Sequence, residues 1–237
     1  MKALIMAGGR GTRLYPYTAT MPKPLMPLGD TPILEVLLKR LGRAGVTEAI
    51  LAVNHMGHLI QAFFGGGERF GMRISYGFEE KALGTAGPMA SMLDELGADF
   101  IVTNGDLLTT LNVGAMIEAH QRTGADVTVG SFERQLESDF GILEVDGEMR
   151  LLEYREKPSY KHLVSMGIYV IKAASVRAYL RPEEYLDMPD LLRLLVDNGK
   201  TVLCYLEDCF WLDIGRPDDF AEAQQLYEQH PSFFEGA

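Results

Sequence analysis

Ala3-Leu4-Ile5-Met6-Ala7-Gly8-Gly9-Arg10-Gly11-Thr12-Arg13 is the stretch on which the fold turns. An unbroken apolar run stopped by Gly8-Gly9 reads as a buried parallel strand, since a strand covered on both faces needs no polar alternation. The carboxyl end of such a strand is where open α/β sheets bind ligands. The glycines expose backbone N–H groups and permit close approach, and successive N–H groups form a concave anion site. Arg10 and Arg13 add guanidinium groups that suit phosphate oxygens. The spacing is neither the dinucleotide G-x-G-x-x-G nor a P-loop, which would end in G-K-[ST]. Taken alone, the loop also reads as an ordinary strand-to-helix turn.

Outward from it, strand and helix signals alternate. Ile33, Leu37, Leu41 and Ala44 recur at near-helical spacing, with Pro32 in the first turn and Thr31 as the cap. Ala49–Val53 is a second buried strand. His58–Phe64 reads as a helix, Met72–Phe78 as a strand, Pro88–Leu96 as a helix and Asp99–Thr103 as a strand ending at Asn104-Gly105-Asp106. Val113–Arg122 is a helix closed by Gly124. In the second half Asp126–Phe132 is strand-like, and Gly141–Val145 and Met149–Tyr154 flank Asp146-Gly147, the signal of a type I′ hairpin. Ser165–Ile171 and Thr201–Leu206 are strands, and Met188–Asn198 and Asp218–Glu228 are helices. The pattern predicts one α/β domain over 1–237, with a mostly parallel sheet between helices and an antiparallel flap inserted late.

Composition narrows the partners. The chain has 237 residues, 47% of them hydrophobic, with 22 basic against 33 acidic residues and a net charge of −11. Such a balance repels nucleic acid, so an anionic substrate requires basic groups gathered locally. Cys204 and Cys209 have no second ligand pair nearby in sequence, which argues for plain buried or half-buried thiols rather than zinc and for a reducing compartment. The N-terminal apolar run is too short for a signal-peptide core, and no run approaches a membrane span. A cytoplasmic protein with no membrane partner is expected.

Pro22-Lys23-Pro24 follows the glycine-rich loop, and its flanking prolines are expected to hold Lys23 extended toward a phosphate. Further along lie Leu83-Gly84-Thr85-Ala86-Gly87, Asn104-Gly105-Asp106, Glu156-Lys157-Pro158 and Trp211-Leu212-Asp213-Ile214-Gly215. Together with Gly8-Gly9-x-Gly-Thr-Arg, this ordered set resembles the signature of sugar-1-phosphate nucleotidyltransferases, and the resemblance covers nearly the whole chain.

That resemblance implies a Rossmann-like three-layer α/β/α sandwich and transfer of a nucleotide from an NTP to a sugar 1-phosphate, with release of pyrophosphate. It implies that Ala7, Gly8, Gly9, Gly11 and Thr12 line the nucleotide with Gly84, Thr85, Asn104 and Gly105. Arg13 would face the leaving pyrophosphate, and Lys23 would neutralise the reacting phosphates. Asp106 and Asp213 would hold Mg²⁺, a cation that prefers one or two carboxylates plus substrate phosphates; taken singly, either reads as a turn or capping residue. Glu156 and Lys157 would take the sugar hydroxyls and sugar phosphate, with Gly141 and Gly167 letting the ring approach. An acidic residue before Leu-Gly-Thr-Ala-Gly resembles the guanylyltransferase branch and favours GTP, with Glu79 or Glu80 as the contact. Nucleotidyl transfer from CTP or UTP to a cyclitol or choline phosphate stays open, as does a catalytically silent nucleotide-binding relative. A glycosyltransferase is disfavoured, because Asn104-Gly105-Asp106 is not an Asp-x-Asp metal motif. No hexapeptide-repeat module is expected after the last helix. The tail 231–237, with Phe233 and Phe234, is a candidate contact for a homodimer or for the chain's own domain.

Overall fold

The computed structural model describes residues 1–230 together with Ser232 and Phe234. In chain order the elements are β1 (Lys2–Met6), β2 (Pro27–Leu28), β3 (Thr31–Pro32), α1 (Ile33–Arg43), β4 (Glu48–Val53), α2 (Gly57–Phe64), β5 (Arg73–Phe78), α3 (Met89–Leu96), β6 (Asp99–Asn104) and β7 (Leu107–Thr109). They continue with α4 (Val113–Thr123), β8 (Val127–Glu137), β9 (Ile142–Val145), β10 (Leu151–Arg155), β11 (Ser159–Lys172), α5 (Ala173–Val176), α6 (Met188–Asp197), β12 (Val202–Leu206), β13 (Trp211–Asp213) and α7 (Pro217–Gln229).

Among the described residues the central sheet has seven strands in the order β12-β8-β11-β6-β1-β4-β5. Strand β11 runs antiparallel to both of its neighbours, and the other pairings are parallel. The result is the Rossmann-like mixed sheet that the resemblance implies, and it agrees with the mostly parallel sheet read from the alternation of elements. Side chains of a strand alternate between faces, and β1 shows it: Ala3 and Ile5 enter one core with α1, α2 and α4, while Leu4 enters the other with α3 and α6. A third cluster, with Leu14, Leu108, Ile214, Phe220 and Tyr227, seats α7 beside the central sheet. No helix among the described residues is long and apolar enough to cross a membrane.

Several local expectations are corrected. Thr31 does not cap α1; it pairs with Leu28 in a short antiparallel ladder, and Pro32 occupies the cap position without a side-chain bond. The turn at Asp146-Gly147 is not type I′, because Gly147 lacks a positive φ and Met149 carries one instead (64°). The Asp146 carboxylate accepts the N–H groups of Glu148 and Arg150, which fixes a longer loop ending in a left-handed residue. Strands β8 and β11 extend beyond the sheet as an exposed ribbon, as far as the Ser159–Glu137 pair. Cys209 is half-buried as expected, but Cys204 is exposed on edge strand β12. In the tail, Phe234 is buried in its own chain against Phe210 and Tyr227, with ring centroids 5.4 and 6.3 Å away. Phe233 lies outside the described residues.

Phe100 on β6 is completely buried in the α3/α6 core. Phe100→Ala is expected to lower stability by about 3–5 kcal/mol through lost burial and an unfilled cavity. Urea denaturation of the two proteins measures the difference.

Candidate active site

Three parallel strands, β6, β1 and β4, deliver their carboxyl ends side by side. The Ala7 N–H bonds to Ala52 O at 2.8 Å, and the Gly105 N–H to Met6 O at 2.9 Å. The contact is tight: a Cβ at Gly105 would stand 3.0 Å from Met6 O, and one at Gly8 3.1 Å from the Asn54 backbone nitrogen, so a larger residue at either needs its neighbour to move. Gly11 has φ 59°, and the Thr18 hydroxyl donates to its carbonyl at 2.9 Å, pinning the loop's exit. A cavity of about 620 Å³ opens above this edge, within the usual range for small-molecule sites. Ala7, Gly8, Gly9, Gly11, Thr12, Arg13, Lys23, Glu79, Glu80, Gly84, Thr85, Asn104, Gly105 and Asp106 all line it. The structure thus brings the sequence-predicted nucleotide residues to one place.

Lys23 is not extended. It opens a short 3₁₀ turn over Lys23–Leu25, with Pro22 supplying the extended residue before it. It is only 8% exposed, and its ammonium forms an ion pair with Asp106 Oδ2. Asp106 Oδ1 is buried and has no hydrogen-bond donor among the described residues. Asp213 arrives from far along the chain because β13 pairs antiparallel with β7, placing Asp213 opposite Leu107. The Ile214 N–H then bonds to Asp106 O at 3.3 Å. Burial pushes the Asp213 carboxyl up and the Asp106 charge pushes it further, while Lys23 and Arg13 pull it down. Two carboxylates and two cations therefore share one site. The Arg13 guanidinium lies flat against Gly215, with Cζ and both Nη atoms 3.4 Å from where a Cβ would stand.

A sequence model of the nucleotidyl transferase family matches residues 2–230. The chain belongs to this family. It is 32% identical to a UTP–glucose-1-phosphate uridylyltransferase of Synechocystis sp., over 94% of this chain and 62% of the relative. It is 34% identical to the mannose-1-phosphate guanylyltransferase catalytic subunit beta of Danio rerio, over 97% of this chain and 65% of that one. The chain thus spans less than two thirds of the length of these two relatives. A Bacillus anthracis protein assigned as a glucose-1-phosphate thymidylyltransferase, crystallised with sucrose, has a TM-score of 0.78 and 26% identity over 95% of this chain and 94% of its own. A UDP-glucose pyrophosphorylase bound to UDP-glucose shares the fold, with a TM-score of 0.75 and 21% identity over 96% of this chain and 98% of its own.

The residues expected on the sugar side are more dispersed. Gly167 sits at a left-handed φ of 76°, where β11 slips register between Ser165 and Tyr169. A Cβ there would stand 2.7 Å from Asn104 Nδ2, and the neighbouring Met166 O accepts from Trp211 Nε1 at 3.0 Å. This bulge ties together β6, β11 and β13. Glu156 and Lys157 are exposed just past β10, outside the wall of the cavity above the glycine-rich loop. Glu156 accepts a hydrogen bond from the Tyr154 hydroxyl, against which a Cβ at Gly141 would collide.

Sequence reading missed Tyr185 and Asp187, which line the same cavity from the segment before α6. Asp187 Oδ1 accepts from the Thr85 N–H at 3.0 Å and from its hydroxyl at 3.1 Å, while Oδ2 accepts from the Tyr185 hydroxyl at 2.6 Å. Gly84, at φ 81°, fits because a Cβ would stand 2.5 Å from Leu186 O. A carboxylate one hundred residues away carries no local signal. Asp187→Ala is expected to free the Leu83–Gly87 loop and weaken nucleotide binding about tenfold or more, the cost of a lost charged hydrogen bond. Titration calorimetry with each NTP checks this, with Asp187→Asn retaining part of the effect.

Proposed function

We propose that this chain transfers a nucleoside monophosphate from an NTP, GTP by preference, to a sugar 1-phosphate, releasing pyrophosphate. The buried Lys23–Asp106 pair beside Asp213, at the mouth of the glycine-rich loop, carries the reading. In this reaction a phosphate oxygen of the sugar phosphate forms a bond to the α-phosphorus, and the bond to the β-phosphate oxygen breaks. Both reactants are anionic, so the chain's main task is to neutralise charge and align them. Lys23 places one ammonium between the reacting phosphates, held in position by Asp106. Arg13, braced on Gly215, takes the departing pyrophosphate. The backbone N–H groups of the Gly8–Gly11 loop cradle the remaining phosphates.

The site chemistry fits a magnesium ion. Asp106 Oδ1 is an unpartnered buried oxygen, and Asp213 is a second carboxylate whose charge is disfavoured by burial and by the Asp106 charge. No group of three or more potential metal-ligating side chains occurs among the described residues. That suits a cation which takes two carboxylates and completes its shell with substrate phosphates. Bound there, Mg²⁺ would neutralise phosphate charge and favour in-line geometry.

Base choice rests on Glu79 rather than Glu80. Glu79 is half-buried, its N–H bonds to Val53 O at 2.9 Å, and its carbonyl accepts from Asn54 Nδ2 at 2.8 Å. Glu80 is exposed. The Glu79 carboxylate accepts the Leu83 N–H at 3.4 Å through Oε2, and from there it would accept two N–H groups from guanine but one from uracil. The guanylyltransferase name of the Danio rerio relative supports this reading.

Lys23→Ala is expected to lower kcat about 10²–10³-fold with a much smaller change in nucleotide affinity, and Asp106→Ala or Asp213→Ala to abolish magnesium-dependent turnover. Pyrophosphate release across four NTPs and a panel of sugar 1-phosphates measures both, and no release with any pair would sink the enzymatic reading. Glu79→Gln is expected to cut the kcat/KM preference for GTP over UTP by about tenfold or more, the worth of a hydrogen bond to a charged group. An unchanged ratio would move base recognition elsewhere.

A further inference from the structure

Among the described residues that line the cavity above the glycine-rich loop, Tyr185 is the one aromatic side chain. Its segment is fastened to the wall that carries Glu79. The Leu83 N–H reaches Glu79 Oε2 at 3.4 Å, and Leu83 O accepts the Leu186 N–H at 3.0 Å. Leu186 O in turn accepts the N–H groups of Ala86 and Gly87 at 2.9 and 3.0 Å. Lys81 pairs with Glu183 at 3.5 Å along the same seam. Residues 183–187 and 81–87 therefore form one continuous edge of the cavity, with Tyr185 at the centre of its outer strip. The ring is also held at its far end. Its hydroxyl donates to Asp187 Oδ2 at 2.6 Å, and Asp187 is itself tied to Thr85. Despite these anchors the residue is 64% exposed.

We infer that the Tyr185 ring is a stacking platform for the base of the NTP and favours purines over pyrimidines. The inference rests on the nucleotidyl-transfer reading and deepens it. The hydroxyl proton is committed to Asp187, so the residue has no proton to give a phosphate or a sugar. What it still offers a ligand is the face of the ring. That face is fixed at one end by the backbone seam and at the other by a carboxylate, so covering it costs little further conformational freedom. Of the three parts of an NTP, the base alone is flat and aromatic, and stacking on an aromatic side chain is open to every base. The position agrees with this role, because Glu79 reads the base from the same edge of the cavity. Glu79 addresses the hydrogen-bonding rim of the base and Tyr185 its face. A purine covers more of the ring than a pyrimidine, which gives a preference independent of hydrogen bonding. Asp187 then has a second task besides holding Thr85: it aims the platform.

The test titrates GTP, UTP and inorganic tripolyphosphate by calorimetry into the wild type, Tyr185→Phe and Tyr185→Leu. Tyr185→Leu removes the ring and should weaken GTP about tenfold or more, the worth of one stacked base. UTP should lose less, and tripolyphosphate, which has no base, should bind as to the wild type. Tyr185→Phe keeps the ring while removing the bond to Asp187, and should retain most of the GTP affinity. A residue that merely braced Asp187 would give the opposite pattern, with the two variants equally impaired. Equal loss in both variants, equal loss for all three ligands, or no loss in Tyr185→Leu would each overturn the inference. Equal loss for GTP and UTP with tripolyphosphate unchanged would overturn the purine preference. A base-dependent loss in Tyr185→Leu, without pyrophosphate release by the wild type from any sugar 1-phosphate, would instead leave the platform standing and remove the nucleotidyl-transfer reading.

Discussion

Lys23 carries a charge at a place where water barely reaches, and that constraint organises the active edge of the molecule. An ammonium ion withdrawn from solvent is tolerated only beside a carboxylate, and Asp106 supplies one from the turn after β6. The pair holds together two segments more than eighty residues apart. Asp106 can reach Lys23 only if β6 lies next to β1 in parallel register, with Lys2 opposite Phe100 and Met6 opposite Asn104. The order of the central strands is thereby linked to the chemistry at their ends.

The second carboxylate depends on a different part of the fold. β7 and β13 form a small ladder outside the main sheet, and it sets Asp213 beside the turn that carries Asp106. The ladder is stabilised from behind by the third core cluster, in which Leu108 and Ile214 pack with α7. From the front, Trp211 donates to Met166 at the β11 bulge. The same bulge places Gly167 against Asn104, so the antiparallel strand contributes to site geometry as well as to the sheet. Around the cavity above the glycine-rich loop, Asp187 gives the Leu83–Gly87 loop a fixed shape through both the backbone and hydroxyl of Thr85.

Most strands and helices were legible because their hydrophobic periods are unambiguous. β1 and β4 are short apolar runs between turn residues, and α1 has a continuous apolar stripe. The errors fall where local preference competes with a longer-range partner. Thr31 has good capping chemistry, yet its backbone is engaged by Leu28. Asp146-Gly147 has the composition of a type I′ turn, but the Asp146 side chain binds the backbone beyond it and moves the left-handed residue to Met149. The prolines around Lys23 restrict its neighbours but leave Lys23 itself free to start a 3₁₀ turn.

The sequence by itself determined the alternation of elements, the glycine-rich loop after the first strand and most of the list of residues that line the cavity above it. These are local properties: hydrophobic period, glycine placement and charge type are readable within a few residues. Tertiary structure alone decided that Lys23 is buried against Asp106, that Asp213 comes alongside and that Asp187 braces the Thr85 loop. It also separated Glu79 from the exposed Glu80 and gathered Arg13, Arg134 and Arg216 around one cavity. Each of these is a meeting of side chains distant in sequence, or a difference in burial between adjacent ones. Such facts are set by strand order and packing, which no local window of sequence contains.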